Sequence, residues 1–213
     1  MKLHLGCGGV HLDGYHNVDL PPDQHGVQPD IRPDEYADIT TLSYAPGSIE
    51  EVRLHHVFEH FSRPLALRLL IDWYEWLRPG GVVTIETPDF ERCARWFFLR
   101  PTAASRAKLM RHMFGSHEAA WAVHWDGWYR AKFEGVLGAL GYEDMSFSRS
   151  RWRGIYNITV QARRPAQDVP RAQLERRAEE ILRLSLVDDT TSERATLAVW
   201  AEELRRRSAA PPP

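Results

Sequence analysis

The chain has 213 residues, 43% hydrophobic and 26% charged, with a formal net charge of −2. That length supports one α/β core with an extension, and that charge supplies no overall basic field for nucleic acid or acidic lipid. Two cysteines, Cys7 and Cys93, exclude a disulfide framework and read as free thiols.

No apolar run reaches the length of a membrane span. Met1 leads straight into Lys2-Leu3-His4-Leu5-Gly6 without a signal-peptide pattern, so the expected compartment is the cytoplasm. Residues 1–6 form a short strand ending in the glycine turn Gly6-Cys7-Gly8-Gly9. His16–Leu20 is a second strand, followed by a Pro-rich loop to Pro33 and a short extended piece at Tyr36–Ile39. A third strand lies near the end of Ser48–His56. Leu67, Leu70, Ile71 and Tyr74 recur at helical spacing, which predicts a helix over Pro64–Leu77. Arg78-Pro79-Gly80-Gly81 stops it, because Pro cannot continue a helix and Gly tolerates the turn. Val82–Thr87 is a β-branched strand. Residues 91–114 are helical with a break at Pro101, and 115–128 form a polar, aromatic loop. A helix over Tyr129–Leu140 precedes two closing strands, Met145–Ser148 and Ile155–Ala162, expected to be antiparallel.

Residues 1–164 form the first expected domain. Their alternation of strand and helix predicts a mostly parallel sheet with helices on both faces. Residues 165–213 are an expected extension: two amphipathic helices, Pro170–Leu186 and Ser192–Arg207, and a disordered end. Thr191 or Ser192 is the expected N-cap of the second. Leu174, Ile181 and Leu182 stripe the first helix, and Leu197, Trp200, Ala201 and Leu204 the second. The hairpin is expected to contribute to a homodimer: exposed stripes predict a dimer or a partner surface, whereas stripes packed on their own domain would make the hairpin structural.

Ligands of parallel sheets bind beyond the carboxyl ends of the strands. That places a site at the glycine turn, Asp19, Asp38 and His55–His60. Asp19 closes the second strand, where a carboxylate can accept ribose hydroxyls. Dinucleotide sites put this acid roughly 20 residues beyond the glycines, after a full helix whose N-terminus holds the pyrophosphate. Only eleven positions separate Gly8 from Asp19, so the first helix must be very short. A cofactor with a ribose and no phosphate fits that spacing: S-adenosylmethionine rather than NAD.

Leu3-His4-Leu5-Gly6-Cys7-Gly8, followed by Gly14-Tyr15-His16-Asn17-Val18-Asp19-Leu20, resembles the class I S-adenosylmethionine-dependent methyltransferases, of the type linked to glycan and small-molecule biosynthesis. Ala37-Asp38-Ile39, His55–His60, Leu77–Gly81 and Glu86-Thr87-Pro88-Asp89 agree in order and spacing, so the resemblance covers roughly residues 1–162. It implies a Rossmann-like α/β fold, with a mostly parallel seven-stranded sheet and an antiparallel closing strand. It implies methyl transfer that leaves S-adenosylhomocysteine. It implies that Gly6 and Gly8 pack against the methionine part, that Asp19 holds the ribose, that Asp38 with Ile39 beside it meets the adenine, that His55 lines the methionine and methyl end, and that Leu5, Cys7 and Leu20 belong to the same cofactor site. Many relatives carry a covering helix before the first strand. This chain starts almost on the strand, so its lid is expected elsewhere, on a partner chain, or not at all.

A hydroxyl or ammonium acceptor must lose a proton, and histidine titrates near neutrality. His56, His60 and His124 are the candidate bases. The loop at 112–129 supplies Trp121, Trp125, Trp128 and Tyr129 as candidate acceptor-binding faces, although three tryptophans spaced by four and three also fit a packed helix face. No metal is expected, since the spacing of His117 and His124 has no diagnostic value. The acceptor is expected to be a small molecule or glycan precursor, not nucleic acid or membrane. The one basic run, Arg149-Ser150-Arg151-Trp152-Arg153, is expected to meet an anionic group of the acceptor or solvent. Two other readings remain open. One is a non-catalytic cofactor-binding scaffold acting through its helical tail. The other is a zinc peptidase using His56-Val57-Phe58-Glu59-His60 as a His-x-x-Glu-His motif. The peptidase motif needs a long helix, and Leu54-His55-His56 reads as a strand end.

Overall fold

Alternation of apolar and polar residues builds the centre of the molecule. The computed structural model describes residues 1–24, 31–100 and 102–206. Seven strands form one sheet: β1 (Lys2–Leu5), β2 (His16–Asp19), β3 (Glu35–Tyr36), β4 (Ile49–His55), β5 (Leu77–Pro88), β6 (Glu143–Trp152) and β7 (Ile155–Arg163). Their order is β3-β2-β1-β4-β5-β7-β6. The first five are parallel, and β7 runs antiparallel to both β5 and β6. This is the mixed, mostly parallel sheet expected from the sequence.

Leu3, Leu5, Val52, Leu54, Val83, Ile85, Ile158 and Val160 point to one face and join a single apolar cluster. The helices α1 (Arg63–Trp76), α4 (Arg130–Ala139), α5 (Arg171–Arg183) and α6 (Thr191–Arg205) contribute to the same cluster. The alternate positions, among them His4, Arg53, His55, Thr84, Glu86, Thr159 and Gln161, are polar and belong to neither apolar cluster. Of the helices expected on both faces, α1, α4, α5 and α6 are found on the apolar one. Handedness explains the difference. The crossover from β4 to β5 runs one way along the sheet and that from β1 to β2 the other, so right-handed connections carry them over opposite faces. The first crossover carries α1. In the second, residues 6–15 form only turns, and the very short helix expected there is absent. Asn17, fully buried, does the work of that helix. Its amide accepts from Leu12 N–H and donates to the carbonyls of Leu12 and Tyr15 and to the Asp34 carboxylate.

α1 explains the C-terminal extension. Ser62 caps it by accepting from Leu65 N–H, and Pro64 occupies its first turn. Nearly every side chain of the helix is buried, including Leu67, Leu69, Leu70, Ile71, Trp73 and Tyr74. A helix buried on nearly every side needs cover on both. The sheet covers one, and α5 and α6 cover the other through Leu174, Ala178, Leu182, Leu197, Ala201 and Leu204. Polar contacts fix the docking: Arg171 Nη1 lies 2.7 Å from both Asp72 Oδ1 and Glu75 Oε2, and the Ser62 hydroxyl donates to Glu203 at 2.8 Å. The stripes that would have served a dimer are thus spent on their own domain, and the boundary at residue 164 does not divide the core. The expected disordered end lies outside the described residues.

Smaller differences have local causes. Thr190, one residue before the expected caps, caps α6 through Glu193 N–H. α1 ends at Trp76, and Arg78-Pro79-Gly80-Gly81 lies inside β5, with Gly80 at φ +78° where the pairing with β4 slips. α2 (Phe90–Leu99) and α3 (Ala103–Phe114) flank the expected break and share a second cluster of Cys93, Leu109, Met113 and Tyr156. The closing strands are longer than predicted, so Arg149–Trp152 belongs to β6. Among the described residues, no helix is long and apolar enough to cross a membrane.

Candidate active site

The carboxyl ends of β1, β2 and β4 open into a cavity of about 630 Å³, a size suited to a cofactor and a small acceptor. Its first end is backbone. Gly6 (φ +69°) and Gly8 (φ +53°) take the left-handed conformation that favours glycine, and a Cβ on Gly6 would meet Val57 Cγ2 at 2.3 Å. The amides of Gly6 and Cys7 both donate to Val18 O, which folds the turn back over β2. Asp19 holds the turn in place: Gly8 N–H donates to Oδ2 at 2.5 Å and Leu20 N–H to Oδ1 at 2.7 Å. Asp19 also lines the cavity. Burial, followed by the Asp19 charge, pushes the Cys7 thiol up to about 12, so Cys7 is an inert wall.

Gly6, Cys7, Gly8, Asp19, Leu20, Asp38, Ile39 and His55 line this cavity together. Leu5 does not; its side chain is in the core. Asp38 caps the turn Ile39–Thr41 by accepting from Thr40 N–H, so its carboxylate has a local task. The sequence reading missed His4 and Arg53, which line the cavity from neighbouring positions of β1 and β4. Their signal was the polar residue in each strand on the face opposite the leucines. Arg53 Nε is buried without a hydrogen bond among the described residues. Burial lowers both His4 and His55, and the Arg53 charge lowers them further.

The second end is built from side chains. His56 sits at φ +54°, and Phe58–His60 is a single 3-10 turn. Glu59, 2% exposed, points inward from that turn. His56 Nδ1 lies 3.2 Å from Glu59 Oε1, and its Nε2 lies 3.4 Å from Glu86 Oε1. Burial opposes a charge on His56, but hydrogen bonds to Glu59 and Glu86, reinforced by their charges, raise it to about 10. Burial likewise opposes the Glu59 carboxylate, but His56 and then His60 and His124 hold it below the usual range. The His56 bond is also the main cause that brings Glu86 down to about 2. His56 is therefore an imidazolium clamped between two carboxylates, a poor proton acceptor at neutral pH. Burial brings His124 down to about 4 and keeps it neutral. His60 and His124 stand edge to face, with ring centroids 4.7 Å apart.

The loop after α3 delivers His124. Gly115 pairs with Val123 in an isolated bridge, and Trp125 N–H donates to Glu59 O at 2.9 Å, which staples the loop to the histidine turn. The four aromatic candidates separate. Trp121 lines the cavity, packs edge-on against His60 and donates its indole N–H to Gln24 O at 2.7 Å, joining two segments of the rim. Trp125 is 63% exposed, and Tyr129 precedes α4 at the surface; neither lines the cavity. Trp128 is 2% exposed, packed between Phe58 and Phe133, and its expected contact with an acceptor gives way to a place in the core. The basic run also lies off the cavity: Arg149 pairs with buried Asp89, and Arg151 lies over Tyr156.

The peptidase reading fails on backbone geometry, because His56 and His60 share no helix and Glu59 is buried against His56. No protein-family model and no curated protein sequence matches the chain. Solved structures do match. A S-adenosylmethionine-dependent methyltransferase from Archaeoglobus fulgidus is 14% identical, with a TM-score of 0.52 over 76% of this chain and 85% of that one. A Bacillus halodurans protein named as a methyltransferase candidate is 13% identical, with a TM-score of 0.52 over 77% of this chain and 92% of that one. A structure concerned with converting a disulfide bond into a thioacetal group during echinomycin biosynthesis is 18% identical, with a TM-score of 0.50 over 78% and 76%. The fold is that of the class I methyltransferases. Within it, the glycine turn and Asp19 stand at the ends of the first two strands, and the histidine turn follows the fourth.

Proposed function

We propose that the chain is a S-adenosylmethionine-dependent methyltransferase that moves a methyl group to an oxygen or nitrogen of a small-molecule or glycan-precursor acceptor. The observation that carries this reading is the single cavity wall joining Gly6–Gly8, Asp19 and Asp38 to His55, His56 and His60. In this reading Gly6, Cys7 and Gly8 pass the methionine part close to the backbone, with Leu5 shaping the turn from beneath. Arg53 attracts the methionine carboxylate. Asp19 and Leu20 hold the ribose, Asp38 and Ile39 border the adenine, and His55 lies toward the methyl group. The acceptor enters beside Trp121, with Trp125 and Tyr129 on the outer approach.

Methyl transfer from a sulfonium owes much of its rate to positioning, with the acceptor atom about 3 Å from the methyl carbon and in line with the breaking bond. His60 lines the cavity, so it is the better placed proton acceptor, while the weakly basic His124 packs on it and His56 fixes the carboxylates around them. The near-neutral charge of the chain favours a small free acceptor, met in the cytoplasm, over nucleic acid or a membrane lipid. A dimer would need a surface other than the stripes of α5 and α6.

Calorimetric titration with S-adenosylmethionine and S-adenosylhomocysteine tests the reading. Micromolar binding is expected. Asp19→Ala should weaken it about 100-fold, as two charge-assisted hydrogen bonds of roughly 1.5 kcal/mol each are lost. Folded wild-type protein that neither binds nor copurifies with either compound would overturn the proposal.

A further inference from the structure

We propose that Glu59, His60 and His124 form a binding site for one first-row divalent transition-metal ion. One donor atom from each residue lies within 4.8 Å of the others. His124 Nε2 is 3.9 Å from Glu59 Oε1, and the two imidazoles meet at 83°. A tetrahedral ion at about 2.1 Å from each donor needs donors about 3.4 Å apart, so closure takes side-chain shifts on the order of 1 Å.

Three independent features point to a ligand. The first is Glu59, buried, with Oε2 making no hydrogen bond among the described residues. Such an oxygen is costly to bury, and a bound cation removes that cost. The second is the tautomer of His60. Its Nδ1 lies 3.2 Å from Val123 O. A carbonyl only accepts, so Nδ1 carries the hydrogen and Nε2 keeps its lone pair. A backbone carbonyl fixing the far nitrogen in this way is the usual support of a metal-binding histidine. The third is access. His60 lines the cavity and the His124 side chain is 11% exposed, so an ion has an entrance and three protein ligands leave coordination positions open.

The donor set decides the class of ion. Two imidazoles and one carboxylate suit Zn²⁺, Fe²⁺, Co²⁺ or Ni²⁺, whereas Mg²⁺ and Ca²⁺ favour all-oxygen shells. The sequence reading expected no metal. Only the His-x-x-Glu-His pattern hinted at one, and it assigned the wrong roles: Glu59 is a ligand here, and His56 orients it from 3.2 Å.

Binding of the ion stands on this geometry alone; its use in catalysis rests on the methyltransferase reading. There, an acceptor hydroxyl bound to the ion releases its proton to solvent. Its oxygen forms a bond to the methyl carbon while the carbon–sulfur bond breaks, and that bonding pair stays on sulfur as a neutral thioether. The ion changes no oxidation state.

The test uses the full, tag-free chain, stripped with a chelator and titrated with Co²⁺ and then Zn²⁺ without cofactor, so that its failure is separable from failure to bind S-adenosylmethionine. One Co²⁺ per chain is expected, with visible d–d absorption that Zn²⁺ abolishes. His60→Ala and His124→Ala should each weaken binding roughly 100-fold. His117→Ala, at an exposed histidine bonded to Phe114 O, should leave it unchanged. Absence of stoichiometric binding, or binding that survives both cluster substitutions, would overturn the proposal and leave a hydrogen-bonded relay.

Discussion

The two ends of the cavity are made differently. The glycine end uses residues close in sequence: Gly6, Gly8 and Asp19 meet through backbone amides across one short connection. The histidine end uses side chains from distant segments. His60 and His124 are 64 positions apart, and His56 is neutralised in part by Glu86 on the next strand. A backbone-built site is shaped by where side chains are missing, whereas a side-chain-built site is shaped by which charges balance. The first should fail by steric exclusion and the second by pH.

Gly6→Ala tests the first half most severely. The added methyl group meets Val57 at 2.3 Å on a backbone at φ +69°. Strain and overpacking together should cost about 3 kcal/mol, read as a lower melting temperature with loss of cofactor binding. Adding Val57→Ala should recover the packing part and leave the strain. A neutral Gly6→Ala would break the contrast. A smaller effect is expected at the charged end, because the His56 side chain is 39% exposed and solvent screens its charge. A histidine raised from 6.5 to about 10 in the fold stabilises it fully below pH 6.5, and that contribution fades as pH rises to about 10. In chelator-treated protein, the gap in melting temperature between wild type and His56→Asn should be widest at pH 6 and narrow steadily toward pH 10. A constant gap would mean that His56 carries no charge. The smallest effect belongs to Trp121→Phe, which keeps the face against His60 and loses the bond to Gln24. About 1 kcal/mol is expected, measured as stability or as cofactor release rate.

The same contrast explains what the sequence made legible. The glycine turn, Asp19 and the mostly parallel sheet with its antiparallel closing strands follow from local spacing, and all are found in the structure. Asn17 was legible as a residue but not as the organiser of a helix-free connection, because its partners Leu12, Tyr15 and Asp34 are set only once β2 and the following loop are in place. His56, His60 and His124 each attracted attention as separate bases. Their convergence on Glu59 depends on the loop from α3 folding back across the histidine turn, which no periodicity encodes. Trp121 and Trp128 looked alike in a crowded aromatic segment, yet one lies on the rim and the other between two phenylalanines. Spacing alone does not separate them, since they sit in a loop without helical repeat.

The burial of α1 on two sides bears on how the chain is made. Synthesis proceeds from the N-terminus, and domains generally fold as units as they emerge. Here α1 is complete about a hundred positions before residues 171–205 leave the ribosome. Until then one flank of α1 is bare, and Asp72 and Glu75 wait for Arg171, an ion pair spanning about a hundred positions. Contacts of such sequence separation slow folding. The docking of α5 and α6 thus acts as the closing step for this core, and until they emerge the nascent chain carries the outer side of α1 uncovered.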